Sequence, residues 1–159
     1  MSRPRAIAYI ERLALLLRSL SRQRSAAHGL QPVHVLALDY LQRCNRYSDT
    51  PRATAQYLHS TKGTISQSLR LLEQRGSLRR KADDHDRRVV HLRLTPRGRR
   101  VLDQCRPDTA SLRDFEALAG ETEIEQTLED LLRTLQIENG LRTFGLCRTC
   151  QHLRHEGQR

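Results

Sequence analysis

The chain has no tryptophan, one methionine and only six aromatic residues, four Tyr and two Phe, so it has little from which to build an aromatic cage around a ligand. Lysine is almost absent too. Of 28 basic residues only Lys62 and Lys81 are lysines, leaving 26 arginines, the side chain whose planar fork suits phosphates and base edges. Long apolar runs are missing: Leu13 to Leu17 (LALLL) falls far short of a membrane span, and Glu11-Arg12 interrupt any signal-peptide core. The expectation is a cytoplasmic protein, neither secreted nor membrane-inserted. Also lacking are a glycine-rich phosphate loop, a nucleophile elbow and a paired-carboxylate constellation, and the seven histidines are scattered, so no enzyme is expected. With 159 residues, 18.4 kDa and 37% hydrophobic content, one compact domain or two small lobes is the limit.

What is present is positive charge, unevenly placed. The formal net charge is +10; residues 1–100 carry 21 basic and 7 acidic side chains, against 7 and 11 in residues 101–159. An excess of that size attracts polyanions at long range, and duplex nucleic acid satisfies it better than a small acidic metabolite. A solvated arginine-rich surface accounts for the charge equally well, so position must decide.

Ile7, Ile10, Leu13, Ala14, Leu17 and Leu20 recur at three- and four-residue steps and predict a long amphipathic helix from Ala6 to about Ala27. His28-Gly29-Leu30-Gln31 breaks it, and Pro32 opens a second helix with Val33, Leu36, Ala37, Tyr40, Leu41 and Cys44 on one face. Cys44 then reads as an unreactive core thiol. Thr50-Pro51 caps and starts a short third helix ending near Leu58, and Thr61 caps a fourth, with Ile65, Leu69 and Leu72 inward and Gly76 at its end. The outer face of that fourth helix holds Lys62, Gly63, Ser66, Gln67 and Arg70. Leu78 to Lys81 and Val89 to Thr95 predict two strands around a charged turn. A helix-turn-helix followed by a hairpin is a winged helix, and this wing carries Arg79, Arg80, Lys81, Arg87 and Arg88. Thr95-Pro96 starts a further helix to about Gln104, interrupted at Pro107, with a segment resuming at Asp108. Ile124, Leu128, Leu131 and Leu135 form a narrow seam between Glu121 and Asn139, closed by Gly140. The basic lobe alone has a small core, so the first and last helices are expected to bury their apolar stripes against each other or a second copy, as in a two-fold dimer.

Thr54 to Gly76 (TAQYLHSTKGTISQSLRLLEQRG) resembles, without a gap, the recognition unit of the multiple antibiotic resistance regulator (MarR) family. Asp86-Arg87-Arg88, Val89 to Arg93, then Leu94-Thr95-Pro96-Arg97-Gly98 fits that family's wing pattern: aspartate, any residue, arginine, five residues, leucine-threonine, two residues, glycine. With helix order and length, the likeness covers roughly residues 6 to 140. It implies a mainly α fold with a small β-wing, a winged helix-turn-helix with a helical dimerisation lobe formed by the terminal helices, acting as a homodimeric regulator on double-stranded DNA. Lys62, Thr64, Ser66 and Gln67 then enter the major groove, Gln67 carrying the donor-acceptor pair that matches adenine, with Thr61 and Arg70 beside them. Arg88 enters the minor groove, and Asp86 holds it in pose through a salt bridge. Arg52, Arg79, Arg80 and Arg87 are assigned to phosphates. Solvation or helix capping remains the plain alternative for each, and Ser66 could bond back to its own helix. Two departures stand out: Thr54 replaces the leucine of a usual leucine-alanine pair, and His59 sits where the turn usually has glycine.

The tail is unusual. Cys147 and Cys150, two residues apart, with His152 and His155, form a candidate ligand set for zinc or an iron-sulfur cluster. No further cysteine follows Cys150, so a fuller set would draw on Cys105 or a dimer mate. A local disulfide, free thiols and a tail without a role are the competing readings. The expected organisation is a dimerisation helix in 1–31, a DNA-binding domain in 32–100, dimerisation helices in 101–141 and the Cys/His tail in 142–159. The expected function is a repressor on an inverted-repeat operator, sensing metal or redox state through the tail. The alternatives are a repressor with a small-molecule effector in the cleft between lobes, and a sequence-independent nucleic-acid binder. The second would want a uniformly basic face over residues 62–70, which Gly63, Thr64, Ser66 and Gln67 do not make.

Overall fold

A computed structural model describes residues 4–106, 121–141, 144, 145 and 152, and the chain divides into two compact units, 1–107 and 108–159. The first unit holds α1 (Arg5–Ala27), α2 (Pro32–Arg43), α3 (Pro51–Tyr57), α4 (Lys62–Gln74), β1 (Leu78–Ala82), β2 (Val90–Leu94) and α5 (Pro96–Cys105). The described part of the second is α6 (Glu121–Glu138) and the few residues after it. The fold is therefore mainly helical with one two-stranded antiparallel sheet, Leu78 pairing Leu94 and Ala82 pairing Val90.

Local chemistry sets the helix ends. Thr50, Thr61 and Thr95 each accept a backbone N–H from three residues on, at 3.2, 3.2 and 3.0 Å, and Pro51 and Pro96 occupy first turns where no donor is missed. His34 takes the capping-box position at α2: the Gln31 N–H donates to its Nδ1 at 3.0 Å. Burial, and then the Arg75 charge, push His34 below the ordinary imidazole value, which keeps that nitrogen free to accept. Gly76, with φ of 67°, ends α4 by donating to the Glu73 carbonyl at 2.8 Å while Ser77 donates to Leu72. Gly98 stands closer still to its neighbour. A Cβ built there would lie 2.0 Å from the Ser77 carbonyl oxygen, so only glycine lets α5 seat against the start of the sheet. The Thr95 hydroxyl fastens that contact, donating to the Gly76 carbonyl at 2.6 Å.

The core of the first unit is built from Leu38, Ile65, Leu69, Leu72, Leu78, Leu92 and Leu102, all below 2% exposed. On α2, Ala37, Tyr40 and Leu41 are buried as expected, but Val35 and Leu38 are buried too and Leu36 is 51% exposed, so the buried face is broader than the expected stripe. The helix is surrounded by α1, α3, α4, α5 and β2, and a helix clasped on several sides buries more than a single-face pattern reports. Cys44 lies just past the end of α2, half-buried, and burial, with Asp49 second, pushes its thiol up to about 11, which disfavours the nucleophilic thiolate. The α1 stripe is also imperfect. Leu13, Leu15, Leu16, Leu17 and Leu20 are all exposed, and among its residues only Ser25 is fully buried. The strands run one residue further at Ala82 and one shorter at each end of Val89 to Thr95 than expected. Pro107 and the segment resuming at Asp108 lie outside the described residues. In α6, Ile124 and Leu131 are half-buried while Leu128 and Leu135 are exposed, and Gly140, with φ of 67°, follows the helix end as expected.

Candidate nucleic-acid interface

Two short helices meet at the turn Leu58–Thr61. His59 adopts φ of 47°, the left-handed conformation its place in the turn demands and the only positive φ outside glycine among the described residues. Thr54 is fully buried, and its hydroxyl donates to the Thr50 carbonyl at 2.9 Å, so the polar group is satisfied within its own helix. Buried Ile65, Leu69 and Leu72 pin α4, and its other face presents Lys62, Gly63, Thr64, Ser66, Gln67 and Arg70 to solvent. Thr61 and Thr64 are partly occupied with each other, their hydroxyls 2.9 Å apart. The side chain that bonds back to the helix is buried Ser68, to the Thr64 carbonyl at 3.0 Å. Arg52 is exposed on α3.

In the wing, Asp86 accepts from both the backbone N–H of Arg88 (3.0 Å) and its Nε (3.2 Å). The Arg88 side chain is nevertheless 92% exposed, so the ion pair orients it without covering it. Arg79 and Arg87 are exposed as well. Arg80 is exposed too, on the sheet face of Leu78, with its Nε paired to Glu73 of α4 at 2.9 Å. Arg79 and Arg80 join Arg97 and Arg100 of α5 around an open cavity of about 560 Å³, two further cations that the hairpin-centred reading passed over. The sequence reading also passed over the root of the wing. There His91 of β2 lies between two carboxylates, its Nδ1 on Asp49 Oδ1 and its Nε2 3.0 Å from Asp83 Oδ2. Asp49 precedes α3 and stands 42 residues from its partner, so spacing gave no signal for that contact. The Asp83-Asp84-His85-Asp86 turn did carry one, since aspartate often closes a turn on its own backbone.

Of the tail, Cys147, Cys150 and His155 lie outside the described residues. His152 is half-buried with its ring 4.8 Å from that of Phe144, whose backbone is clamped by both ends of the Gln136 amide at 3.0 and 3.3 Å. Among the described residues no cluster of three His, Cys, Asp or Glu side chains could hold a metal ion. None of the described helices is long and apolar enough to cross a membrane.

A helix pair with an exposed second helix, followed by a hairpin whose tip arginine is steadied by an aspartate, defines a winged helix-turn-helix protein. The chain matches the MarR family model over residues 28–89. It is 30% identical over 110 residues to the transcriptional repressor MprA of Escherichia coli K12, a match covering 69% of this chain and 62% of that repressor's length. Among solved structures it is similar to the transcriptional regulator BldR of Sulfolobus solfataricus (26% identity, TM-score 0.57, 84% of this chain and 91% of that one). It shares its fold with MepR of S. aureus, solved as a DNA complex (20% identity, TM-score 0.55, 84% and 97%).

Proposed function

We propose that the protein is a cytoplasmic, homodimeric repressor of transcription that reads an inverted repeat in double-stranded DNA. The observation that carries this is the Asp86–Arg88 pair: an arginine oriented through its Nε yet 92% exposed is poised for a narrow, electronegative minor groove. On the outer face of α4, Lys62, Thr64, Ser66, Gln67 and Arg70 offer hydrogen-bonding groups of the kind that discriminate base edges, and Arg52, Arg79, Arg80 and Arg87 supply cations for phosphates. The dimer reading rests on α1 and α6, whose exposed Leu13, Leu16, Leu128 and Leu135 are apolar surface that a second copy would remove from water. Residues 32–100 are then the DNA-binding part, 1–31 and 101–141 the dimerisation parts. The signal is proposed at the tail, with Cys147, Cys150, His152 and His155 as a zinc or iron-sulfur set.

One experiment addresses all of this: selection of bound duplexes from a random pool, run with as-purified and with chelator-treated protein, followed by footprinting of the selected sequence. The expected result is an inverted repeat with half-site centres about one helical turn apart, bound differently after chelation. A single protected half-site would refute the dimeric reading, and identical binding with and without chelator would refute the metal signal.

A further inference from the structure

His91 sits where the wing is rooted in the core. Its side chain is 17% exposed, that of Asp49 only 2%, and the Leu92 N–H donates to the Asp49 carbonyl at 2.7 Å, so the acceptor on that side is fixed. On the other side Asp83 belongs to the wing turn: its Oδ1 accepts the backbone N–H groups of His85 (2.8 Å) and Asp86 (2.9 Å), while its Oδ2 faces His91. Asp86 in turn holds Arg88. An unbroken chain of contacts therefore runs from a buried carboxylate, through one imidazole, to the arginine at the wing tip.

A neutral imidazole has one N–H and one lone pair, whereas the imidazolium has two N–H groups. With a carboxylate at each nitrogen, only the imidazolium satisfies both; the neutral ring must set its lone pair against one of them. Asp49 is buried and immobile, so Asp83 is the partner released. Other charges face the same space. Arg93 of β2 stands 3.2 Å from Asp49 Oδ2, and Arg46 and Lys81 line the adjoining cavity of about 530 Å³, Lys81 with its Nζ on Asp84 at 2.9 Å. His85 and Tyr47 are the other titratable side chains of that lining. These cations oppose a second proton, but the two carboxylates touch the ring directly and the hydrogen bonds from Asp49 first, then Asp83, raise His91 above its ordinary value.

We propose that His91 is a positioning residue for the wing: doubly protonated, it ties Asp83 to Asp49 and holds Arg88 in its reading pose, and loss of one proton unfastens the turn and weakens duplex binding. The inference rests on the wing reading of Arg88 above. Because the folded state favours the charged ring, the tie is complete below the free-histidine value of about 6.5 and is lost as pH rises through the higher folded value.

The test is duplex affinity of the full chain across about pH 6 to about pH 8.5 for the wild type, His91→Gln, Arg88→Ala and the double variant, with the His91 imidazole followed by NMR in the wild type. The wild type should lose about fivefold more affinity than His91→Gln across that range, the low end of what one base-reading arginine contributes. In the Arg88→Ala background, His91→Gln should change the pH slope no further. Equal slopes in wild type and His91→Gln, with binding retained, overturn this inference alone; absence of duplex binding at every pH overturns the DNA-binding reading and this inference with it. Should His91→Gln not fold, the wild-type titration decides: a His91 midpoint above that of free histidine supports the tie, and one at or below it overturns it.

Discussion

Arg88 concentrates the functional argument into one side chain. Its backbone and its Nε are both held by Asp86, and almost all of its surface is open, a combination that reduces the rotamer entropy lost on docking while leaving the guanidinium available. Arg88→Ala is expected to weaken binding to the selected operator by about 1–3 kcal/mol with little change in thermal stability; unchanged affinity in a fluorescence titration would contradict the assignment. The two histidines with displaced proton affinity among the described residues, His34 and His91, act in opposite senses. His34 is needed neutral to accept from Gln31, so its contribution to stability is present above the free-histidine value and is lost as pH falls below it. His91 is needed charged, so its contribution runs the other way. The pair Asp86 and Arg88 was legible in the sequence because the two lie two residues apart in one motif. Asp49 with His91 was not, because the contact joins distant segments that only the folded hairpin brings together.

The elements were legible where a single residue decides an end. Thr50, Thr61 and Thr95 cap the helices that follow them, and Gly76 and Gly140 lie beyond the ends of α4 and α6, as side-chain chemistry dictates. Faces were harder to read, as the broader buried face of α2 and the largely uncovered α1 demonstrate, because burial depends on what packs alongside and a one-dimensional pattern lacks that information. Gly98 explains the glycine of the wing motif physically: a methyl group at 2.0 Å from a carbonyl oxygen has nowhere to go. Gly98→Ala should therefore destabilise the first unit by about 3 kcal/mol through forced displacement of α5 or β1, measured by urea unfolding. A variant as stable as the wild type would show that this joint yields more readily than its geometry implies.

At the scale of the whole chain, the charge division and the apolar helices carry the remaining expectations. Cations gathered in residues 1–100 should make operator binding fall steeply with salt, the logarithm of affinity declining by several units per tenfold rise in salt concentration. Sedimentation at micromolar concentration should return a pair of chains, and a monomer there would remove the basis for an inverted-repeat operator.

The close seating of Gly98 on Ser77 has a mechanical corollary. With the Thr95 hydroxyl bolted to Gly76 beside it, the first turn of α5 and the start of β1 are fastened at this joint, so neither can shift without moving the other.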